Sequence, residues 1–519
     1  ARAVTRLGAE AGSLFLLDPA DGALVCRAAV GPVDVRGLRL PPGTGIVWRT
    51  LTSNRPQRVD STVDDPDFAP AVDAATGFVT RSILCAPIAV GDERLGAVEL
   101  FNKQGAAGFA AAEETPLLAL AGAAGLALLN ARLLADLASR EALARALELA
   151  REIQRAMLPP PQPAASPIHA RGLAARGVSG DFHEIVPLPD GRVAFAVGDV
   201  AGKGIDAALL MAKTASLYRC LVKREAGPGR VLAAIDAELA ETRQRGLFVT
   251  MLAGVLDPPR GRVVLACAGH EAPVLLRAGQ EAPLVVEGLP PLGIVPELFA
   301  AGCPETVVDL AGGTLCLYTD GLSEARTPQG AMLGAAGARR LLALLDRLPA
   351  DERLDTVLGA LGGAGSLRDD VTLMVVEDRR APPPPGLGRR FPARPETLAE
   401  IRAVVGATAR ALGASPDEVA DCVLATDEAC QNVIRHAYHG GEGDIVLLID
   451  GDGHRVVIQL IDFAPTVDAA TISPRPLDAV RPGGLGTHLM RSVMDRVEPL
   501  PPPAGIGNLL RMVKRIGAS

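Results

Sequence analysis

The chain has 519 residues, a formal net charge of -8, 48% hydrophobic residues and eight cysteines. That length implies several domains, and the hydrophobic share, with a mean hydropathy of +0.24, excludes a disordered polymer. A pI of about 5.6 leaves no basic field to release phosphate counterions, so nucleic acid is excluded as a partner. The cysteines stand singly without a CxxC pair, which excludes a zinc ribbon or redox dithiol and places the chain in a reduced cytoplasm.

Residues 1–120 alternate strand patterns with turns. The stretch SLFLLDPADGALVCRAAV reads as a hairpin turning at Asp21-Gly22, and SILCAPIAV and RLGAVELFNK read as two strands joined at Gly91-Asp92. The chain begins in mid-pattern at Ala1 without Met, so a preceding segment is expected. With Asn102, Lys103, Phe109, Glu113 and Glu114 approximating an Asn-Lys…Phe…Asp-Glu signature, this segment resembles a GAF sensory domain. The resemblance implies an α/β sensor, an unknown small-molecule ligand and a structural ion pair at Lys103.

Residues 121–158 carry helix formers without proline. Leu126, Leu129, Leu133 and Leu137 step by three and four, and Leu143, Leu147, Ile153 and Met157 continue after a phase slip. The spacing predicts a signalling helix that pairs with its twin in a coiled-coil homodimer; a helix packed on its own domain is the alternative. The longest apolar run, 117–129, is too short to cross a bilayer, so no membrane partner is expected. The helix lacks the histidine that a sensor histidine kinase needs, and Pro159-Pro160-Pro161 ends it.

In residues 159–378 short apolar runs end in acids, and two helical stretches are expected among the strands. The acids are Asp181 and Glu184 in SGDFHEI, Asp199 in AVGDV, Asp320 and Glu324 in LCLYTDGLSEA, and Asp369 and Asp370 in SLRDDVTLMVV. The turn after Asp199, Gly202-Lys203-Gly204, mimics a P-loop, but the Walker spacing and its Ser or Thr are missing. Oxygen-only donors suit hard divalent ions, and a pair of such ions activates water against a phosphoryl group without a side-chain nucleophile.

SGDFHEI, GDVAGKGIDAALLMA, AGHEAPVLL, YTDGLSEARTPQG and DDVTLMVV occur in the order found in PPM-type serine/threonine phosphatases of the sporulation stage II E and stress-regulator group, which this domain resembles. The resemblance implies a β-sandwich flanked by helices around two Mn2+ or Mg2+ ions. Asp199 would bridge both ions with the Val200 carbonyl as a further ligand, Asp320 and Asp369 would complete one shell, and Asp181 would serve the other. Glu184 departs from the family's Asp. Asp370 reads as an orienting neighbour, His270 as a hydrogen-bonded turn residue, and Lys203 as a solvated one; His183 is given no catalytic role. The family further implies that the entering helix, REIQRAMLP, sets the metal-bearing turn.

Residues 379–390, RRAPPPPGLGRR, read as a proline-rich exposed linker. In residues 391–519, Glu428, Asn432 and His436 recur at i, i+4 and share one helix face. DIVLLID and RVVIQLID form a hairpin across Gly451-Asp452-Gly453, Asp462 ends its second strand, and PGGLG opens a last helix. That order resembles the GHKL ATP-binding fold, a two-layer α/β sandwich, in its anti-sigma-factor serine-kinase branch. It implies ATP with Mg2+ on Asn432, Asp462 on the adenine amino group, Gly484 and Gly486 in the lid, and Glu428 as general base. Ala464 stands where the family has Gly. The whole chain therefore reads as multidomain α+β: sensor, coupling helix, phosphatase and kinase-like module. Its implied partners are a phosphorylated anti-sigma-factor antagonist and a sigma factor; the alternative is a C-terminal domain that binds without catalysis.

Overall fold

A computed structural model describes all residues except 1, 64, 107, 176, 226, 242–245, 296, 327–329, 331, 363–366, 381–385, 440, 467–484 and 518–519. The chain divides into two units, Ala1–Ala146 and Leu147–Ser519.

In the first unit, strands form an antiparallel sheet in the order Arg39–Leu40, Leu24–Val30, Ala9–Leu17, Glu93–Lys103, Ile83–Val90, Gln57–Val59. Both expected hairpins form, and their turn glycines, Gly22 at φ 71° and Gly91 at φ 59°, adopt the left-handed backbone that glycine takes without strain. Lys103 Nζ donates to Glu113 Oε1 at 2.6 Å and to the Leu7 carbonyl at 2.8 Å. The expected ion pair thus ties the last strand to the turn that opens the long helix.

That helix is continuous over Glu114–Met157. Leu117 and Ala121 are buried against the sheet, whereas Leu126, Leu133, Leu137, Leu143 and Ile153 are exposed. By length and composition alone the helix includes a stretch apolar enough to cross a membrane, and its continuation beyond Ala131 carries charges at Arg132, Asp136, Arg140, Glu141 and Arg145.

The second unit begins as a sandwich. One sheet orders Gly288–Leu289, Arg262–Ala268, Val249–Asp257, Val193–Val200 and Phe182–Pro187, with Thr306–Asp309 also on Arg262–Ala268. The other orders Gln280–Ala282, Val274–Arg277, Thr314–Tyr318, Val371–Glu377 and Ile168–Leu173. Alternate residues such as Phe195, Val197, Leu265, Leu317 and Met374 point inward and fill the layer between the sheets. Ile205–Leu221 and Pro228–Ala240 cover one outer face. Gly334–Leu344 and Ala350–Ala360 cover the other, so four long helices stand where two helical stretches were expected.

The C-terminal sheet orders Gly386–Pro392, Asp444–Gly451, Arg455–Asp462, Asn508–Arg515 and Arg496–Leu500, all antiparallel. Its first strand takes up the second half of the expected linker; residues 381–385 lie outside the described residues. Ile445, Leu447 and Ile449 face the helices Leu398–Ala411 and Pro416–Asn432. Val446, Leu448, Ile461 and Leu509 turn the other way, onto Leu354, Val357 and Leu361 of the sandwich domain. Fully burying such a side chain contributes about 1.5–3 kcal/mol, so this second face is a hydrophobic interface. The expected two-layer sandwich therefore has a third layer, contributed by the neighbouring domain. Arg347 pairs with Asp450 at 2.5 Å, and Glu352 accepts the Arg390 N–H at 2.9 Å along the same seam.

Candidate functional site

The sandwich gathers its acids at one end of the sheets. Asp199 is the penultimate residue of Val193–Val200, and Asp181 immediately precedes the neighbouring strand Phe182–Pro187. Asp320 opens a short helix just after Thr314–Tyr318, and Asp369 and Asp370 precede Val371–Glu377. Bringing Asp320 beside that pair requires glycine at 321, because a Cβ there would lie 1.8 Å from the Asp370 carbonyl oxygen.

The cluster is electrostatically unfavourable as it stands. Burial, and then the neighbouring Asp199 charge, raise Asp181 well above the carboxylate range. Burial, with Asp320 and Asp369 nearby, pushes Asp199 up to about 6. Burial, then Glu324 and Asp369, raise Asp320. Mutual repulsion of this kind marks a place built for positive charge.

Several side chains hold the acids in place. Thr319 Oγ1 donates to Asp181 Oδ2 at 2.7 Å and accepts the Thr372 N–H at 2.9 Å. Asp370 accepts the Ala175 and Gly180 N–H groups at 2.8 and 3.0 Å, so what it orients is the loop before Phe182–Pro187 rather than its own strand. A Cβ on Gly180 would stand 3.0 Å from the Val200 carbonyl oxygen and 3.3 Å from Asp199 Oδ1, so any side chain there would crowd both oxygens. Lys203 is exposed but not merely solvated: its Nζ donates to Asp369 Oδ2 at 2.8 Å and to the Arg368 carbonyl at 3.2 Å.

Oxygen donors alone and a cradle kept open by glycine fit hard divalent cations in kind; an ion on Asp369 would displace the exposed Lys203 ammonium. Among the described residues no group of three His, Cys, Asp or Glu side chains stands arranged to close on one ion.

The remaining candidates fall into structural roles. Buried Glu184 accepts two bonds from Arg219, at 2.9 and 2.5 Å, and Arg219 also reaches the Met157 carbonyl at 2.5 Å. His270 Nδ1 bonds Thr250 Oγ1 at 2.9 Å. Burial pushes His183 down to about 4, so it is neutral. Besides Thr319 and Arg219, sequence reasoning missed Gln154, near the end of the long helix. Its amide holds both backbone polar groups of one residue, donating to the Ser179 carbonyl at 2.6 Å and accepting the Ser179 N–H at 2.8 Å.

In the C-terminal domain Glu428 and Asn432 are half-buried, one turn apart on Pro416–Asn432. A π-helical turn over Val433–Ala437 then interrupts the α register, so exposed His436 does not extend that stripe. Asp462 is buried at 3% exposure. Its Oδ1 accepts from Asn508 Nδ2 at 2.8 Å and from the Ala464 N–H at 3.1 Å. Burial raises its pKa, and Asn508 and then Ala464 oppose the rise. Ala464 is itself buried at 2% exposure, and a Cβ on Gly507 would meet its carbonyl oxygen at 1.9 Å. Gly486 lies within the helix Leu485–Val493, and Gly484 lies outside the described residues.

Family models match three regions. Residues 1–129 match a GAF domain, 189–379 the stage II sporulation protein E (SpoIIE) family, and 391–514 the histidine kinase-like ATPase domain. Protein IcfG of Synechocystis sp. is 29% identical over 268 residues, covering 44% of this chain; the chain spans 41% of that relative's length. The serine-protein kinase RsbW of Bacillus pumilus is 30% identical over 125 residues, covering 21% of this chain and 74% of the relative. A crystal structure of the RsbU and RsbW domains of Rv1364c from Mycobacterium tuberculosis is 24% identical, covers 67% of this chain and 92% of that one, and superposes with a TM-score of 0.36.

Proposed function

From a chain that belongs, through its C-terminal domain, to the RsbW family of serine-protein kinases, and that carries GAF and SpoIIE-type phosphatase domains ahead of it, we propose a sensor-regulated phosphoserine/phosphothreonine phosphatase joined to a serine-kinase module. The substrate we assign is a phosphorylated anti-sigma-factor antagonist, and a sigma factor is the second partner. The acting species is a cytoplasmic homodimer paired through the exposed leucines of Glu114–Met157.

The observation that carries the phosphatase reading is the repelling acid cluster of Asp181, Asp199 and Asp320. Asp181, Asp199, the Val200 carbonyl, Asp320 and Asp369 would hold two Mn2+ or Mg2+ ions. Such ions, when bound, supply charge neutralisation and Lewis-acid activation of water for phosphoester hydrolysis. Thr319 fixes the rotamer of Asp181, Asp370 pins the loop at Gly180, and Gly180 keeps the Val200 carbonyl clear. Arg219 occupies Glu184, which takes that carboxylate out of the ligand set.

At the kinase-like domain, Asp462 would receive the adenine amino group, Asn432 would hold Mg2+ of ATP, and Glu428 would take the proton of a serine hydroxyl. Asn508 and the Ala464 N–H orient Asp462 for that task. The second reading, a binding module without catalysis, is favoured by alanine at 464 beside the adenine residue. Labelled ATP and a candidate antagonist separate the two: phosphoryl transfer supports the kinase, and absence of both transfer and ATP binding leaves the binder. For the phosphatase, Asp199→Asn is expected to abolish metal-dependent hydrolysis of a phosphoserine peptide; retained activity overturns the assignment.

A further inference from the structure

The N-terminal unit holds a buried carboxyl that no role described so far uses. Antiparallel pairing places Glu99 directly between Ser13 on one neighbouring strand and Cys85 on the other. Glu99 is 6% exposed and Ser13 4% exposed. Glu99 and Ser13 line a cavity of about 100 Å3 whose other walls include Phe15, Ile46, Phe68 and Phe101.

This placement runs against ordinary burial, in which a carboxylate inside the protein is paired with a cation. Burial pushes Glu99 up to about 7, with the Cys85 thiol and then the Ser13 hydroxyl opposing the rise and no arginine or lysine contributing. Ser13 Oγ faces Glu99 from the paired strand but is buried without a hydrogen bond of normal geometry among the described residues. Arg49, whose charge reaches Cys85, is held by Asp65 and Asp67 at 2.9 Å each. The other acid on the wall, Asp73, is satisfied by the Thr80 N–H and hydroxyl, each at 2.7 Å. Among the described residues Glu99 is offered a thiol and a hydroxyl but no cation.

We propose that this cavity binds a small, largely apolar molecule carrying one basic nitrogen, whose N–H groups pair with Glu99 and Ser13. The volume is of the order of a cavity that admits benzene, about 150 Å3 in an engineered case. That size and the acidic wall both exclude a nucleotide, whose phosphates would meet Glu99 with like charge. The inference rests on reading residues 1–129 as a sensor domain.

The test uses the full chain with benzylamine as probe and toluene as its uncharged counterpart, followed by calorimetry and by fluorescence of Trp48, the one tryptophan of the chain. Saturable benzylamine binding at least about tenfold tighter than toluene, weakened about tenfold by Glu99→Gln, is expected, on the scale of one charge-assisted hydrogen bond. Equal affinity for the two probes, no benzylamine binding, or an unaffected Glu99→Gln variant overturns the proposal. Should Glu99→Gln fail to fold, Ser13→Ala is expected to weaken benzylamine severalfold, and unchanged binding there overturns it equally. The phosphatase rate is followed in parallel. Selective binding with no change in rate upholds the cavity assignment and sinks the sensor reading instead.

Discussion

Two regions of the second unit bury carboxylates at strand ends and treat them in opposite ways. Asp462 stands alone, and the fold meets its demand with Asn508 and the Ala464 N–H. Burial raises all three acids, but where Asn508 and the Ala464 N–H oppose the rise at Asp462, neighbouring carboxylates add to it at Asp181 and Asp199. Thr319 gives Asp181 a single hydrogen bond, and Lys203 reaches only Asp369. A lone acid with internal donors is a preset acceptor, poised for one more donor from outside. A cluster left in mutual repulsion needs a compact positive charge, which a divalent ion provides and a neutral ligand does not.

If that contrast is right, the two acids fail differently when neutralised. Asp199→Asn removes the shared carboxylate of the cluster, and metal-dependent hydrolysis is expected to fall on the order of 10^3-fold, the scale of losing an electrostatic group aimed at the reacting centre. ATP binding should not move. An initial-rate assay with Mn2+ beside a nucleotide titration checks both halves. A third buried acid, Glu99, offers a control without a metal or neighbouring carboxylates. Its folded pKa, about 7, lies above its ordinary 4.5, so the stabilising effect of its proton is full below pH 4.5 and is lost as pH rises to about 7. The total is about 3 kcal/mol, read by denaturant unfolding followed at Trp48, and Glu99→Gln should flatten the slope. Asp462→Asn comes next in size. It should weaken ATP about 10–100-fold, the cost of mispairing a buried acceptor, and leave the phosphatase rate within about twofold. A parallel loss of phosphatase activity would mean that the two sites are not separable.

Local chemistry made part of this legible. Alternation and glycine turns marked the hairpins at Asp21-Gly22, Gly91-Asp92 and residues 451–453, and acids after apolar runs marked Asp181, Asp199, Asp320 and Asp369. What stayed hidden depends on residues far apart in the chain. Thr319 meets Asp181 across 138 positions, and Arg219 meets Glu184 across 35; neither partner carries a local pattern that predicts the other. The strand Gly386–Pro392 was concealed by its glycines and arginines, because pairing with Asp444–Gly451 rather than β propensity makes it a strand. One missed feature did leave a trace. Residues 445–449 form an unbroken apolar run, Ile-Val-Leu-Leu-Ile, which is the mark of a strand buried on both faces. Read only as half of a hairpin, it concealed the interface with Ala350–Ala360.

The smallest expected effect tests whether the acid cluster responds to anything outside it. Gln154 is 9% exposed and holds both backbone polar groups of Ser179, two residues before Asp181. It sits near the end of Glu114–Met157, and Arg219 ties the last carbonyl of that helix to the strand bearing Glu184. Displacing the helix end therefore strains the backbone that leads into Asp181, whereas among the described residues no bond from this helix reaches Asp462. Gln154→Ala should lower the phosphatase rate about 3–10-fold, the equivalent of one or two net hydrogen bonds of about 1 kcal/mol each, with ATP affinity unchanged. A positioning role further requires that the concentration of Mn2+ needed for half-maximal rate rise while the KM for phosphopeptide stays fixed, because the role proposed for Asp181 is to hold metal and not to touch substrate. If stability falls but the Mn2+ requirement does not move, Gln154 only packs the helix, and coupling through this end of the helix is refuted.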